Sequence, residues 1–181
     1  MSDPRHDRML DAILDAQAEG AAGAVIEEWR IKQALTNGPS FTDAEKRILW
    51  LSPDTRALFM DIRREVRSEV RAKASEAGYG APIRLLAASG DRREERIDGS
   101  GWSLWIFHDD IPGSEWSLSL ELAENYVALL PKKMAVKLKD SGEKTWISGL
   151  PDGNRRIDAV WDEQKESPFE RLRHYALSLD P

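Results

Sequence analysis

The stretch Gly78-Tyr79-Gly80-Ala81-Pro82 divides this chain into two parts of different character. Two glycines and a proline within five residues stop a helix and turn the chain. Before this break the sequence is charged and alanine-rich, with apolar residues at helical spacing. After it apolar and polar residues alternate, Asp-Gly turns recur, and five of the seven tryptophans occur. The contrast predicts an α+β protein. Residues 1–80 form a helical partner-binding module. Residues 81–181 form an antiparallel β-sandwich with a short C-terminal helix.

Working back from the break, Leu58, Ile62, Val66, Val70 and Ala74 lie four apart. They draw a narrow apolar stripe on a charged helix that opens at Ser52-Pro53, and Phe59 widens the stripe only at its start. A stripe this narrow fits either an outer helix packed along one seam or a helix that completes its packing on another protein. Arg63, Arg67 and Arg71 form a second row, but Asp61, Glu65 and Glu69 interleave with it, as on a solvated face. Further back, Thr42-Asp43-Ala44-Glu45 is a capping box that starts a short helix carrying Ile48, Leu49 and Trp50. Asn37-Gly38-Pro39 ends a helix expected over residues 21–35, with Val25, Ile26, Trp29 and Leu35 on one face. Asp3-Pro4 opens a first helix with Leu10, Ile13 and Leu14.

Forward of the break, residues 83–88 are an apolar run suited to a buried strand. Asp91-Arg92-Arg93-Glu94-Glu95-Arg96 is polar, and the stretch around it reads as a mobile hairpin or loop open to proteolysis. Trp102, Leu104 and Ile106 share one face of the next strand, with Trp105 and Phe107 on the other. Trp116, Leu118, Leu120 and Leu122 alternate with Ser117, Ser119 and Glu121. Met134, Val136 and Leu138 alternate with lysines. Turns at Asp140-Ser141-Gly142 and Pro151-Asp152-Gly153-Asn154 lead to Trp146-Ile147 and to Ile157, Ala159 and Trp161. Intervals this short require antiparallel neighbours. Residues 123–130 fit helix or strand. Ser167-Pro168-Phe169-Glu170 is a second capping box, and Leu172, Tyr175, Ala176 and Leu179 supply a short helical face.

Composition bounds the function. The chain has 41% apolar and 32% charged residues, a globular balance with enough apolar side chains for a core. No apolar run approaches the roughly 18 residues that span a bilayer, and Met1-Ser2-Asp3-Pro4-Arg5 lacks the features of a signal peptide. With no cysteine there is no disulfide, thiolate nucleophile or cysteine zinc site. A cytoplasmic location fits best. The net charge is −6. Residues 1–80 carry 12 basic and 14 acidic side chains, and residues 81–181 carry 14 and 18. Neither part has the basic excess of a general nucleic-acid binder.

The chain carries three histidines, His6, His108 and His174. His108-Asp109-Asp110 is the sharpest polar cluster and can be drawn as a metal or imidazole–carboxylate site. No second histidine stands at ligand spacing, and a polar strand end explains the cluster as well. The zinc-protease helix, nucleophile elbow and P-loop are absent. No catalytic residue, metal or cofactor is assigned, and the chain reads as a non-enzyme. Trp102, Trp116 and Trp161 fall on inward faces. Trp105, out of phase with them, is the candidate for a ligand or interdomain contact.

Residues 1–77, with short helices before Leu51-Ser52-Pro53-Asp54-Thr55-Arg56-Ala57-Leu58, resemble in organisation the helical sigma-binding region of bacterial anti-sigma factors. The absence of a Cys-x-x-Cys pair makes the resemblance one to the metal-free type, and the absence of a membrane helix makes it one to a soluble version. Val136-Lys137-Leu138-Lys139-Asp140-Ser141-Gly142 through Gly149-Leu150-Pro151-Asp152-Gly153 is similar to the turn pattern of Ig-like or carboxypeptidase-regulatory-like sandwiches. The first resemblance implies a transcription regulator that sequesters a sigma factor from RNA polymerase. Ile26, Trp29, Leu49, Trp50, Ile62 and Val66 are the candidate partner-binding residues, with bundle core as their other role. The competing reading is a ligand- or carbohydrate-binding β module with a helical oligomerisation segment, which an exposed Trp105 beside a shallow groove would favour. A third is a small hydrolase centred on His108 and Asp110.

Overall fold

The computed structural model describes residues 25–84, 94–108, 115–161 and 166–181. The chain forms two compact units that part between Arg67 and Ser68. The helical unit contains α1 (Glu28–Leu35), α2 (Asp43–Leu51) and the first part of α3 (Pro53–Glu76). The β unit contains the end of α3, then β1 (Glu94–Gly99), β2 (Trp102–His108), β3 (Trp116–Leu122), the one-turn α4 (Glu124–Val127), β4 (Val136–Asp140), β5 (Thr145–Gly149), β6 (Arg156–Val160), α5 (Pro168–His174) and β7 (Leu177–Asp180). The first helix expected from Asp3-Pro4, and His6, lie outside the described residues.

In the helical unit α1 begins at Glu28, and residues 25–27 are not helical. The helix is therefore shorter than expected over its described part. Its inward side is set by Ile31 and Ala34, three residues apart, so Val25 and Trp29 face solvent instead of the core. The Thr42 capping box forms as expected. The Glu45 N–H donates to Thr42 Oγ1 (3.2 Å) and the Thr42 N–H to Glu45 Oε2 (2.6 Å). Glu45 also receives both arms of the Arg30 guanidinium, at 2.6 and 2.8 Å, which ties α2 to α1. These bonds hold the Glu45 carboxyl at about 2, with Arg30 the larger cause. The expected stripe on α3 forms at Ile62, Val66, Val70 and Ala74, all buried, while Leu58 is half-buried.

In the β unit all strand pairs are antiparallel. They form a four-stranded sheet in the order β1-β2-β3-β6 and a three-stranded sheet in the order β5-β4-β7. Side chains from both sheets share one core, among them Leu104, Ile106, Leu118 and Leu120 from the first and Leu138, Ile147 and Leu177 from the second. Each fully buried leucine or isoleucine contributes about 1.5–3 kcal/mol. An exposed ion pair such as Arg156–Glu121, with N···O at 3.2 Å, contributes about 1 kcal/mol at most. The alternating apolar rows, not the surface charges, hold the sandwich.

One expectation is resolved here and one is corrected. Of the hairpin and the loop expected around Glu94–Arg96 the described part forms the hairpin, because β1 pairs with β2 along its whole length and buries Ile97. Residues 91–93, and the predicted strand beyond Arg84, lie outside the described residues. The C-terminal helix stops at His174, and Tyr175 is extended (φ −123°, ψ 140°). Leu177 and Leu179 then alternate as β7 on β4, both inward. A helix to Leu179 would leave that edge of β4 without backbone partners, so the sheet overrides the helical spacing. Residues 123–130 resolve as the single turn of α4 and the turns that follow.

Candidate functional site

The six candidate partner-binding residues separate by depth. Ile26, Ile62 and Val66 are buried, and Leu49 is half-buried. Trp29 and Trp50 are 65% and 78% exposed. Val25, Leu51 and Met60 are also exposed. Five of the eight large exposed hydrophobics among the described residues therefore lie between Val25 and Met60. Met60 was not among the candidates, although its phase, off the Leu58–Ile62–Val66 row, already places it outward. In α2 the run Ile48-Leu49-Trp50-Leu51 contains no fully buried residue. An apolar helix pinned at its start yet burying nothing fully leaves apolar side chains in solvent, and exposed apolar surface of this kind marks interaction sites.

The β unit presents a second feature. On the outer side of the four-stranded sheet the register sets Arg96, Trp105, Ser119 and Asp158 in one row. Glu94, Phe107, Ser117 and Val160 form the row beside it. Trp105 is half-buried and faces away from buried Trp102, as its phase predicts. The Arg96 guanidinium lies 5.1 Å from the Trp105 ring centroid. It is steadied by Asp98 Oδ1 at 2.8 Å and Ser103 Oγ at 3.2 Å. The Asp98 carboxyl is lowered, first by the Ser103 hydroxyl and then by Arg96. The Trp105 Nε1–H is enclosed and has no hydrogen-bond partner among the described residues. Trp105, Phe107, Glu94, Ser119, Arg156 and Asp158 line a shallow depression of about 420 Å³.

The two described histidines, His108 and His174, do not converge on a site. The His108 ring packs 4.6 Å from Trp116, and Asp109 and Asp110 lie outside the described residues. His174 is exposed on α5. Among the described residues no group of three or more histidine, aspartate or glutamate side chains is placed to hold a metal. No described helix is long and apolar enough to cross a membrane.

A buried polar hub escaped the sequence reading. Asp140, which reads as a turn residue, is enclosed and accepts from the Trp146 indole, from the Gly142 and Lys144 N–H groups and from Arg171. Its partners are up to 31 residues distant, so no local pattern reveals them. No protein-family model, no curated protein and no solved structure matches this chain.

Proposed function

We propose that this protein is a protein-binding regulator whose helical unit docks on a partner, and that the partner is a sigma factor. The reading rests on Trp29 and Trp50, two large aromatic side chains left in solvent on a unit whose α2 buries no residue fully. Tryptophans are the side chains that most often carry binding energy when a partner encloses them. A cytoplasmic regulator of this kind would act by covering the sigma surfaces that RNA polymerase needs. It does no chemistry of its own. Purified full-length protein titrated with each purified sigma factor of the native host, in the presence of core polymerase, tests this. One sigma factor is expected to form a 1:1 complex and to lose polymerase binding. Failure of every sigma factor to bind overturns that assignment.

A second reading, a ligand- or carbohydrate-binding β module, is favoured by one observation, the Trp105 depression. Neutral saccharides stack on indoles and bond to mixed acidic and basic neighbours such as Glu94, Arg156 and Asp158. Titration with cellohexaose should then shift the Trp105 indole N–H signal saturably, and Trp105→Ala should abolish binding. No saturable shift removes cellohexaose-type ligands from consideration.

A further inference from the structure

A second and larger cleft lies wholly within the β unit, between the Gly78–Pro82 turn and β7. Its volume is about 550 Å³, within the range of small-ligand sites. Its origin is an interrupted ladder. Ile83 and Leu177 exchange both backbone hydrogen bonds, at 2.8 and 2.9 Å. An antiparallel ladder continued from that rung would next join Ala81 to Leu179. It does not, because Gly78 and Gly80 take left-handed φ values of 80° and 85° that break the extended run, although Gly80 stays beside the Leu179 carbonyl, which a Cβ there would meet at 3.4 Å. Such values suit glycine because it has no Cβ. Gly101, with φ 83°, fixes the turn from beside it, since a Cβ there would meet the Tyr79 ring at 2.6 Å.

The pleat decides what faces the gap. Because Leu177 spends its N–H and C=O on Ile83, the alternating pattern turns those of Ser178 toward β4 and those of Leu179 away from it. Leu179 therefore presents one donor and one acceptor to the cleft, and neither has a backbone partner among the described residues. A third polar group is nearby. Tyr126, 1% exposed, lines the cleft. Its hydroxyl has no hydrogen-bond partner among the described residues. Buried hydroxyls are normally paired. Burial, and to a lesser degree the Asp180 charge, push the Tyr126 phenol up, so it stays an O–H donor. Asp180 is itself clamped by both arms of Arg71, at 2.7 and 2.8 Å. With Arg71 already neutralised, the cleft offers an anion little, whereas it matches a neutral group that both donates and accepts.

We propose that this cleft binds a short extended peptide, which continues the ladder along the free edge of β7 by pairing with Leu179 and gives a carbonyl to the Tyr126 hydroxyl. The mode is strand addition, in which backbone bonds supply affinity and the flanking walls supply selectivity. Tyr79, Ala81 and Pro82 form the apolar wall against which small side chains would lie. The site stands independently of any partner of the helical unit.

The test uses the full-length chain and the blocked dipeptide N-acetyl-alanyl-alanine methylamide, with acetate as the anionic control. The dipeptide is expected to shift the Gly80 and Leu179 backbone amide signals saturably and to slow hydrogen exchange at Leu179. Acetate at equal concentration is expected to do neither. Tyr126→Phe is expected to weaken the dipeptide about tenfold, the loss of one hydrogen bond, with the rest of the spectrum unchanged. Non-saturating shifts, equal shifts with acetate, or unaltered affinity in Tyr126→Phe would overturn the proposal. Should that variant not fold, exchange at Leu179 in the unmodified protein decides it, and unchanged exchange with dipeptide present counts against the site.

Discussion

Asp140→Ala is expected to destabilise the β unit by about 3–5 kcal/mol, the cost of removing one partner from a buried ion pair. The Asp140 side chain is fully enclosed and Arg171 is 13% exposed, so the largely buried guanidinium left behind would keep only Glu166 Oε2, at 3.1 Å, as a carboxylate partner. Three other donors would also lose their acceptor. They are the Gly142 N–H at 2.9 Å, the Lys144 N–H at 3.1 Å and the Trp146 Nε1–H at 2.9 Å. The loss would reach three elements at once: the β4–β5 turn, the Trp146 ring that packs 4.7 Å from Trp161, and α5, which carries Arg171. Asp140→Asn keeps an acceptor for the indole but not the charge facing Arg171, so its effect should fall between wild type and alanine. Chemical denaturation of the three proteins measures this order.

The same site sets a pH dependence. Burial pushes the Asp140 carboxyl up, but hydrogen bonds from Arg171, Trp146 and the Lys144 N–H outweigh it and leave the folded value below the usual 3.8. A depressed folded value means that the stabilisation is complete above the unfolded value and is lost as pH falls through the folded one. The stability gap between wild type and Asp140→Ala should therefore be constant near neutrality and narrow below about pH 4. A gap that stayed constant down to pH 2 would show that Asp140 acts by packing alone.

Trp29→Ala and Trp50→Ala should each weaken partner binding by about 2 kcal/mol, roughly 30-fold, and leave folding stability within about 0.5 kcal/mol of wild type. The argument is one of burial. Both side chains are mostly in solvent when the protein is alone, so truncation removes few internal contacts. A partner that encloses them would gain their full apolar area. Ile62→Ala is the contrast: Ile62 is 3% exposed, and its truncation should cost about 2–5 kcal/mol of stability by leaving a cavity. Binding isotherms and thermal melts of the three variants separate surface from core. Trp29→Ala and Trp50→Ala proteins that bound the partner normally would remove the helical docking surface.

Much of the β unit is legible because strand side chains alternate with period two. Trp102, Leu104 and Ile106, or Leu118, Leu120 and Leu122, announce their inward face without reference to any other segment. Capping boxes at Thr42 and Ser167 are legible for the same reason, since each closes within four residues. The spacing of Ile62, Val66, Val70 and Ala74 likewise marks the seam of α3. Beyond these local periods the reading fails in characteristic ways. Leu172, Tyr175 and Leu179 satisfy a helical spacing, yet the open edge of β4 draws the last residues into a strand. Ile26 and Trp29 share an apparent face, yet α1 begins between them and sends one inward and the other outward.

The sequence by itself determined the helical character of the first part, the alternating strands β2 to β6 with their antiparallel connections, and the inward face of the long strands, because each depends on neighbours within a few residues. Tertiary structure alone decided which apolar side chains stay in solvent, where α3 passes from one unit to the other, and that Asp140 meets Arg171. It also decided that Leu179 and Tyr126 face a shared gap. Those outcomes depend on pairing between distant segments, where burial and unpaired backbone groups weigh more than local propensity.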